Sequence, residues 1–316
     1  MRIDVSKAAQ LLKEQDKIII ICHESPDGDT VGSGFSLGRA LKKMGKKVKI
    51  LCSDPFPKSL LFITENFEND EFENGYVVAV DVADNKLFGS KLEEYKEKTN
   101  LCIDHHQSNT EYAQNLLLRA DAAAAAEVVY DVIKALGADI SGDIAQGIYT
   151  ALATDTGCFM FSNTSAHTHR LAAELIEAGV DFAAVNQRMF ETKTPGRVAM
   201  EKMVYNDLEY YFDGQCAVIC ITQEMLAKAD ARTDELEGLA SLPRQIEGVK
   251  VGITMKQQED LESFKVSVRT TDEADASDIC RLLGGGGHAK AAGCRVYGDV
   301  KQAKEQILEA VQSCLK

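Results

Sequence analysis

An aspartate and two histidines, Asp104-His105-His106, close the apolar run Leu101-Cys102-Ile103. Imidazole binds metals or carries protons near neutral pH, whereas strand exits are usually furnished with turn residues. Four more acids and a histidine share this setting. His23, Asp27 and Asp29 follow the run Ile18-Ile19-Ile20-Ile21-Cys22, Asp81 ends Tyr76-Val77-Val78-Ala79-Val80, and Asp155 stands in Thr154-Asp155-Thr156-Gly157 after a helical pattern. Brought together, these carboxylates would repel one another unless cations neutralised them. Two divalent ions meet that need. The mixed oxygen and imidazole donor set favours manganese, with magnesium or iron less favoured, over metals that prefer thiolate. A pair of such ions ~3.5–4 Å apart generates a hydroxide and stabilises the attacking and leaving oxygens at phosphorus, which is phosphoester hydrolysis. Taken singly, each position has a second reading. Asp27-Gly28-Asp29 is a plausible turn, Asp81 a strand-end cap, Asp155 a turn former before Gly157, and Asp104 a cap beside two surface histidines. The readings divide on whether the positions meet.

The elements around them predict that they do. The continuous apolar runs at 18–22, 76–80 and 101–103, with another at 48–52, suit buried parallel strands. Residues 30–44 carry a helical pattern stopped by Gly45. In open α/β sheets the ligand crevice lies outside the carboxyl edge of the strands, so three strand ends deliver their polar groups to one edge. Helices are expected over 122–135, which carries Glu127, then 140–153, 166–178 and 181–190. From Gln215 the pattern changes to shorter strands at 215–222, 249–256, 264–270 and 293–297, interleaved with helices at 222–229, 275–283 and 299–315. That is the pattern of a second, α+β domain.

At 316 residues the chain exceeds what one core usually serves, again predicting two domains. Nine cysteines occur singly, without a C-x-x-C pair, and read as reduced thiols of a cytosolic protein; Cys216 and Cys220 fit strand packing better than metal binding. No apolar run approaches the ~20 residues of a membrane span, and the start is amphipathic, so a cytoplasmic protein with no membrane partner is expected. The net charge of −14 argues against long duplex nucleic acid, which requires many neutralised phosphates, and leaves room for a short phosphorylated ligand.

Together the motifs resemble the DHH phosphoesterases, and within them the DHH–DHHA1 group of nano-RNases and pAp phosphatases related to the exonuclease RecJ. The stretch from His23 to Asp29 resembles the first family motif, Asp81 the second, Asp104-His105-His106 the third and Asp155 the fourth. Gly284-Gly285-Gly286-Gly287-His288-Ala289-Lys290-Ala291-Ala292-Gly293 resembles the DHHA1 signature. The resemblance implies one metal on His23, Asp27 and Asp81 and another on Asp29, His105 and Asp155, with Asp81 bridging. It places His106 outside the ligand shell, orienting or protonating a phosphate oxygen, and Asp104 behind an imidazole, fixing its tautomer. Gly285, Gly286, Gly287 and His288 would approach a substrate phosphate, since glycines admit close backbone contact; a flexible loop with a solvated histidine is the other reading. Arg269 could grip a phosphate bidentately or simply face solvent, and the resemblance favours contact. Lys290 stands where relatives often carry arginine. Glu127 resembles a residue near the family's site and reads equally as a helix-surface acid.

The expected organisation is a catalytic metal-binding domain over 1–190, a linker and connecting helix over 191–212, and a substrate-binding domain over 213–316, with the active site in the cleft between them. The implied activity is hydrolysis of short single-stranded RNA and dinucleotides such as pApA to mononucleotides, together with pAp phosphatase activity. Cyclic di-AMP hydrolysis is the alternative enzyme, and a nucleotide-binding sensor the non-enzymatic one. A pyrophosphatase relative would lack the glycine-rich signature. The oligomeric state is not fixed by the sequence, and a homodimer stays open.

Overall fold

The computed structural model describes residues 1–232, 236 and 238–315. It divides into two compact units, Met1–Thr192 and Lys193–Lys316.

In the first unit, the helix α1 (Val5–Lys13) leads into β1 (Lys17–Ile21), α2 (Gly28–Lys43), β2 (Lys47–Leu51), the short α3 (Leu61–Thr64), β3 (Tyr76–Val80), β4 (Thr99–Asp104) and β5 (Asn115–Leu118). Four helices follow: α4 (Ala125–Leu136), α5 (Asp143–Asp155), α6 (Ala166–Glu177) and α7 (Phe182–Asn186), the last running into a single π turn over Gln187–Glu191. The five strands form one sheet in the order β2-β1-β3-β4-β5, parallel throughout. Strands such as Lys17–Ile21 read as uninterrupted apolar runs because both faces are covered. Ile18 and Ile20 pack into the helical core, while Ile19 and Ile21 pack with Val77, Phe88 and Cys102 on the opposite face.

Helices α2 and α5 meet along small residues. A Cβ on Gly28 would lie 2.2 Å from Thr154 Oγ1, and one on Gly32 would lie 2.3 Å from the Gly147 carbonyl oxygen and 2.8 Å from Ala151 Cβ. Farther along, Ser36 Oγ donates to the Ile144 carbonyl at 3.0 Å. The helices are therefore antiparallel, and the start of α2 sits on the end of α5.

The second unit contains α8 (Pro195–Asn206), β6 (Glu209–Tyr211), β7 (Cys216–Ile221), α9 (Gln223–Ala229), β8 (Val251–Gln257), β9 (Ser263–Thr270), α10 (Ala276–Arg281), β10 (Gly286–His288), β11 (Ala291–Tyr297) and α11 (Val300–Cys314). Its mixed sheet runs β10-β11-β9-β8-β7-β6, with only the β7–β8 pair parallel. One face builds the core with α10 and α11 through Val251, Ile253, Val266, Val268 and Ile307. On the β7 side of the other face, Ile219 and Ile221 pack with Met200, Val204 and Leu226, so α8 belongs to this unit's packing.

All nine cysteines are free thiols. Among the described residues no helix is long and apolar enough to cross a membrane.

Candidate metal centre

Three adjacent strands and two helix ends carry the site. His23 follows β1, Asp27 caps α2 by accepting from the backbone of Asp29 (3.0 Å) and Thr30 (3.1 Å), and Asp29 lies in that helix's first turn. Asp81 follows β3, the Asp104 triplet ends β4, and Asp155 is the last residue of α5. The antiparallel α2–α5 packing is what brings Asp29 beside Asp155, a pairing invisible to strand-end reasoning alone.

The donor atoms of His23, Asp27 and Asp81 all lie within 4.8 Å of one another, as do those of Asp29, His105 and Asp155, and those of Asp81, His105 and His106. His105 Nε2 stands 3.5 Å from Asp81 Oδ1, 3.6 Å from Asp155 Oδ2 and 3.8 Å from Asp29 Oδ2. His23 Nε2 stands 3.5 Å from Asp27 Oδ1 and 3.8 Å from Asp81 Oδ2. Both rings are oriented by carbonyls: His23 Nδ1 donates to Glu24 O at 2.7 Å, and His105 Nδ1 to Ala122 O at 3.2 Å. With Nδ1 protonated, each neutral ring turns the lone pair of Nε2 toward the carboxylates, as metal ligation requires.

Asp81 is the hub. Its backbone is left-handed at φ +61°, a conformation that costs a non-glycine residue roughly 1 kcal/mol or more. Its Oδ1 is buried and accepts no hydrogen bond from a described residue. An orphaned carboxylate oxygen in a buried, strained position fits a cation, because the desolvation cost is otherwise unmet.

Charge tells the same story. Burial pushes Asp29 well above the usual carboxylate range, with Asp155 and Asp27 adding to the effect; burial does the same to Asp81, with Asp29 and Asp27 adding. Burial also raises Asp155, against the opposing pull of His105. For Asp27 burial is outweighed by the hydrogen bond and charge of His23, which hold it low, and the same pairing raises His23 against its burial. Such a set of acids binds protons when no cation is bound. The donor chemistry, the free Nε2 atoms and the orphaned Oδ1 together fit two divalent cations, which His23, Asp27 and Asp81 and Asp29, His105 and Asp155 would hold.

Asp104 differs in kind. It is fully buried, and its Oδ1 accepts from the backbone of His105 (2.8 Å) and His106 (3.2 Å) and from His106 Nδ1 (2.8 Å), while Oδ2 accepts from Asn109 Nδ2 at 2.6 Å. The hydrogen bond to Asp104 raises His106 despite its burial and leaves Nε2 as the ring's outward atom. The imidazole that Asp104 orients is thus that of His106, whereas the His105 ring leans on a backbone carbonyl.

Two supporting roles had no sequence signal. Asn109 lies in a turn that looks ordinary, and Asp29 doubles as a cap for α4. The N-cap position of that helix is Ala124, which has no side chain to offer, and Asp29 accepts instead from Ala125 N at 2.6 Å and Ala126 N at 3.1 Å. Glu127 is not a helix-surface acid: it is buried, accepts from Thr168 Oγ1 at 2.7 Å, and lies 3.9 Å from Arg119 Nη2.

In the second unit the glycine-rich stretch is a strand. Gly286, Gly287 and His288 pair with Gly293, Ala292 and Ala291. A Cβ on Gly285 would lie 2.3 Å from Gly293 O, and one on Gly287, at φ +147°, 2.6 Å from Ala292 Cα, so both glycines are demanded by packing. Gly286 faces open space. Arg269 and His288 both stand opposite Ala291, on the same side of the sheet. Arg269 donates to the Val268 carbonyl at 3.1 Å, makes no ion pair with a described residue, and is held below its usual range by burial and by Arg244. Lys290 instead pairs with Asp272.

A family model for the DHH family N-terminal domain matches residues 17–154, and one for the DHHA1 domain matches residues 213–316. The first match covers the parallel sheet with acids and imidazoles on its carboxyl edge, and the second covers the mixed sheet with the glycine-rich strand. The bifunctional oligoribonuclease and PAP phosphatase NrnA of Thermus thermophilus is 34% identical over 312 residues, covering 96% of this chain and 92% of its own. The chain belongs to the DHH–DHHA1 phosphoesterase family. An exopolyphosphatase-related protein from Bacteroides fragilis has the same fold, with a TM-score of 0.89 at 23% identity over 98% of this chain and 95% of its own. RecJ from Thermus thermophilus, solved with Mn2+, shares it more loosely, with a TM-score of 0.54 at 15% identity over 98% of this chain and 55% of its own.

Proposed function

We propose that the protein is a two-metal phosphoesterase of the cytoplasm that hydrolyses short oligoribonucleotides, pApA among them, to mononucleotides and dephosphorylates pAp. The observation that carries this reading is the buried, hydrogen-bond-free Oδ1 of Asp81, surrounded by His105, His106 and the other acids. The NrnA relative supports the substrate class. Two divalent cations, manganese by the donor chemistry, activate water near neutral pH and neutralise charge at phosphorus when bound. The chain's own groups do the rest. Asp27, Asp29, Asp81 and Asp155 supply the negative charge that retains cations, and His23 and His105 are preset with Nε2 free. His106, backed by Asp104 in a hydrogen-bonded pair, holds a proton at Nε2 that it gives to the leaving oxygen, while Asp104 stabilises the imidazolium. Arg269, His288 and the backbone of Gly285, Gly286 and Gly287 take up the terminal nucleotide's phosphate.

The test is nucleotide release with Mn2+ from pApA, a five-nucleotide RNA, a 24-nucleotide RNA, pAp and cyclic di-AMP in parallel. Turnover of pApA and pAp that EDTA and Asp81→Ala each abolish is expected. Activity surviving both treatments would remove the two-metal assignment, and cyclic di-AMP as the fastest substrate would displace the oligoribonuclease reading.

A further inference from the structure

The outward face of the second unit's sheet carries a charge pattern that the metal centre does not explain. By register, Lys256 on β8 stands opposite Lys265 on β9, and Lys265 stands opposite Arg295 on β11. Three cations thus lie in one row across three neighbouring strands. Their alternation places them on the face opposite the core residues Met255, Val266 and Cys294. Lys265 and Arg295 are exposed, and Lys256 is half-buried. None of the three forms an ion pair with a described residue. The charge of Asp260 reaches Arg295, yet its oxygens are committed to the hairpin, accepting from Glu262 N (3.0 Å), Ser263 N (2.9 Å) and Ser263 Oγ (2.7 Å). Burial and the neighbouring Lys265 hold the Lys256 ammonium below its usual range.

Like charges directly opposite one another destabilise a sheet. Lysine often guards an edge strand; β11 is a local edge at Arg295, where its pairing with β10 has ended at Gly293, but Lys256 on β8 and Lys265 on β9 are flanked by paired strands on both sides. Edge protection therefore accounts for Arg295 alone and not for the facing Lys256 and Lys265, which are conspicuous in a chain of net charge −14. Four residues along β9 from Lys265, on the same face, stands Arg269, roughly 13 Å away at the rise of a strand. Between them the face is low: Ser267 on β9 has Gly293 opposite on β11. Two residues beyond Arg295 the ring of Tyr297 is 63% exposed on that face.

We propose that Lys256, Lys265 and Arg295 hold the phosphodiester backbone of a single-stranded oligonucleotide beyond the nucleotide taken up at Arg269 and His288, with Tyr297 stacking a base. Cations without an ion-pair partner among the described residues, in line with an exposed aromatic ring, are the elements of a sequence-tolerant single-strand track. The proposal rests on the oligoribonucleotide reading for its substrate class. It adds that a dinucleotide stops short of the row while a strand of about five nucleotides reaches it.

The experiment compares wild type with the triple variant Lys256→Gln, Lys265→Gln, Arg295→Gln. Fluorescence anisotropy in EDTA reports binding of a labelled five-nucleotide RNA, and kcat/KM with Mn2+ is measured on that RNA and on pApA. Binding of the five-nucleotide strand should weaken about tenfold at low salt, with a shallower salt dependence, while kcat/KM on pApA stays unchanged. Removing facing cations should leave Tm equal or higher, and the single Lys265→Gln variant, expected to lose about threefold in binding, decides the matter if the triple variant folds poorly. Equal losses on both substrates, no loss on the longer one, or polyglutamate competing as well as RNA would each overturn the track. A wild type inert on pApA would sink the enzymatic reading instead, and the anisotropy measurement would still decide the track.

Discussion

The Nδ1 atom of His105 donates to a backbone carbonyl and that of His106 to Asp104, so two adjacent imidazoles with the same free nitrogen, Nε2, are backed by a neutral group in one case and a carboxylate in the other. Their substitutions should separate. His105→Ala removes a preset Nε2 and should lower the bound manganese per chain. His106→Ala should leave bound metal near its wild-type level and reduce kcat by about 10²–10⁴, the usual contribution of a positioned proton donor. Metal analysis of the purified variants beside pApA turnover checks this, and loss of metal in His106→Ala would end the distinction. The residue types were legible in the sequence because acids and imidazoles at strand exits lack a folding reason. The division of labour was implied only by the family resemblance and not by the residues themselves, since Ala122 O and Asn109, which orient the His105 ring and hold Asp104, have no chemical signature of their own. Glu127 was unreadable for the same reason: the partner that accounts for its burial, Thr168, is 41 residues away.

At the level of elements, the parallel strands were visible as apolar runs and their shared edge followed from sheet geometry. The seam between α2 and α5 was not read, although Gly28, Gly32 and Ser36 recur at helical spacing and Gly147 and Ala151 do so on the partner helix. Small residues repeated every four positions are a packing signal, and here they set the separation of Asp29 from Asp155. In Gly32→Ala the new methyl would meet the Gly147 carbonyl oxygen and Ala151 Cβ, neither of which can swing aside. Overpacking of this kind costs about 1–3 kcal/mol, so a fall in Tm is expected together with loss of pApA turnover. A variant with wild-type Tm and activity would show that the seam is slack. The glycine-rich signature was likewise only half read: two of its glycines serve strand packing, which a loop reading did not foresee.

For the whole molecule, acid crowding links stability to pH and metal. Asp29, Asp81 and Asp155 are raised in the folded state, so the fold binds their protons more tightly than the unfolded chain does. Metal-free stability therefore declines as pH rises above the ordinary carboxylate range. His23 and His106, also raised, lose their contribution in the same direction as pH rises through their folded values. The contributions of Asp27 and Asp104, held low, are complete above the ordinary range and are lost only in acid. Cations replace the protons, so the gain in Tm from Mn2+ over EDTA should widen from about pH 5 to about pH 8. Differential scanning fluorimetry across that window checks it, and a constant gain would contradict the crowding.

Asp29 stands near the beginning of the first unit and caps a helix that begins 96 residues later, while the acid it faces across the α2–α5 seam comes later still, at Asp155. A nascent chain that has emerged only through β4 thus holds His23, Asp27, Asp81 and the triplet but lacks the acid and the helix that complete their arrangement. The second candidate set, Asp29, His105 and Asp155, is thus completed only when α5 has been made, and ribosome-bound chains halted before α5 should retain divalent metal more weakly than the finished first unit. Tight metal retention would then mark a finished first domain.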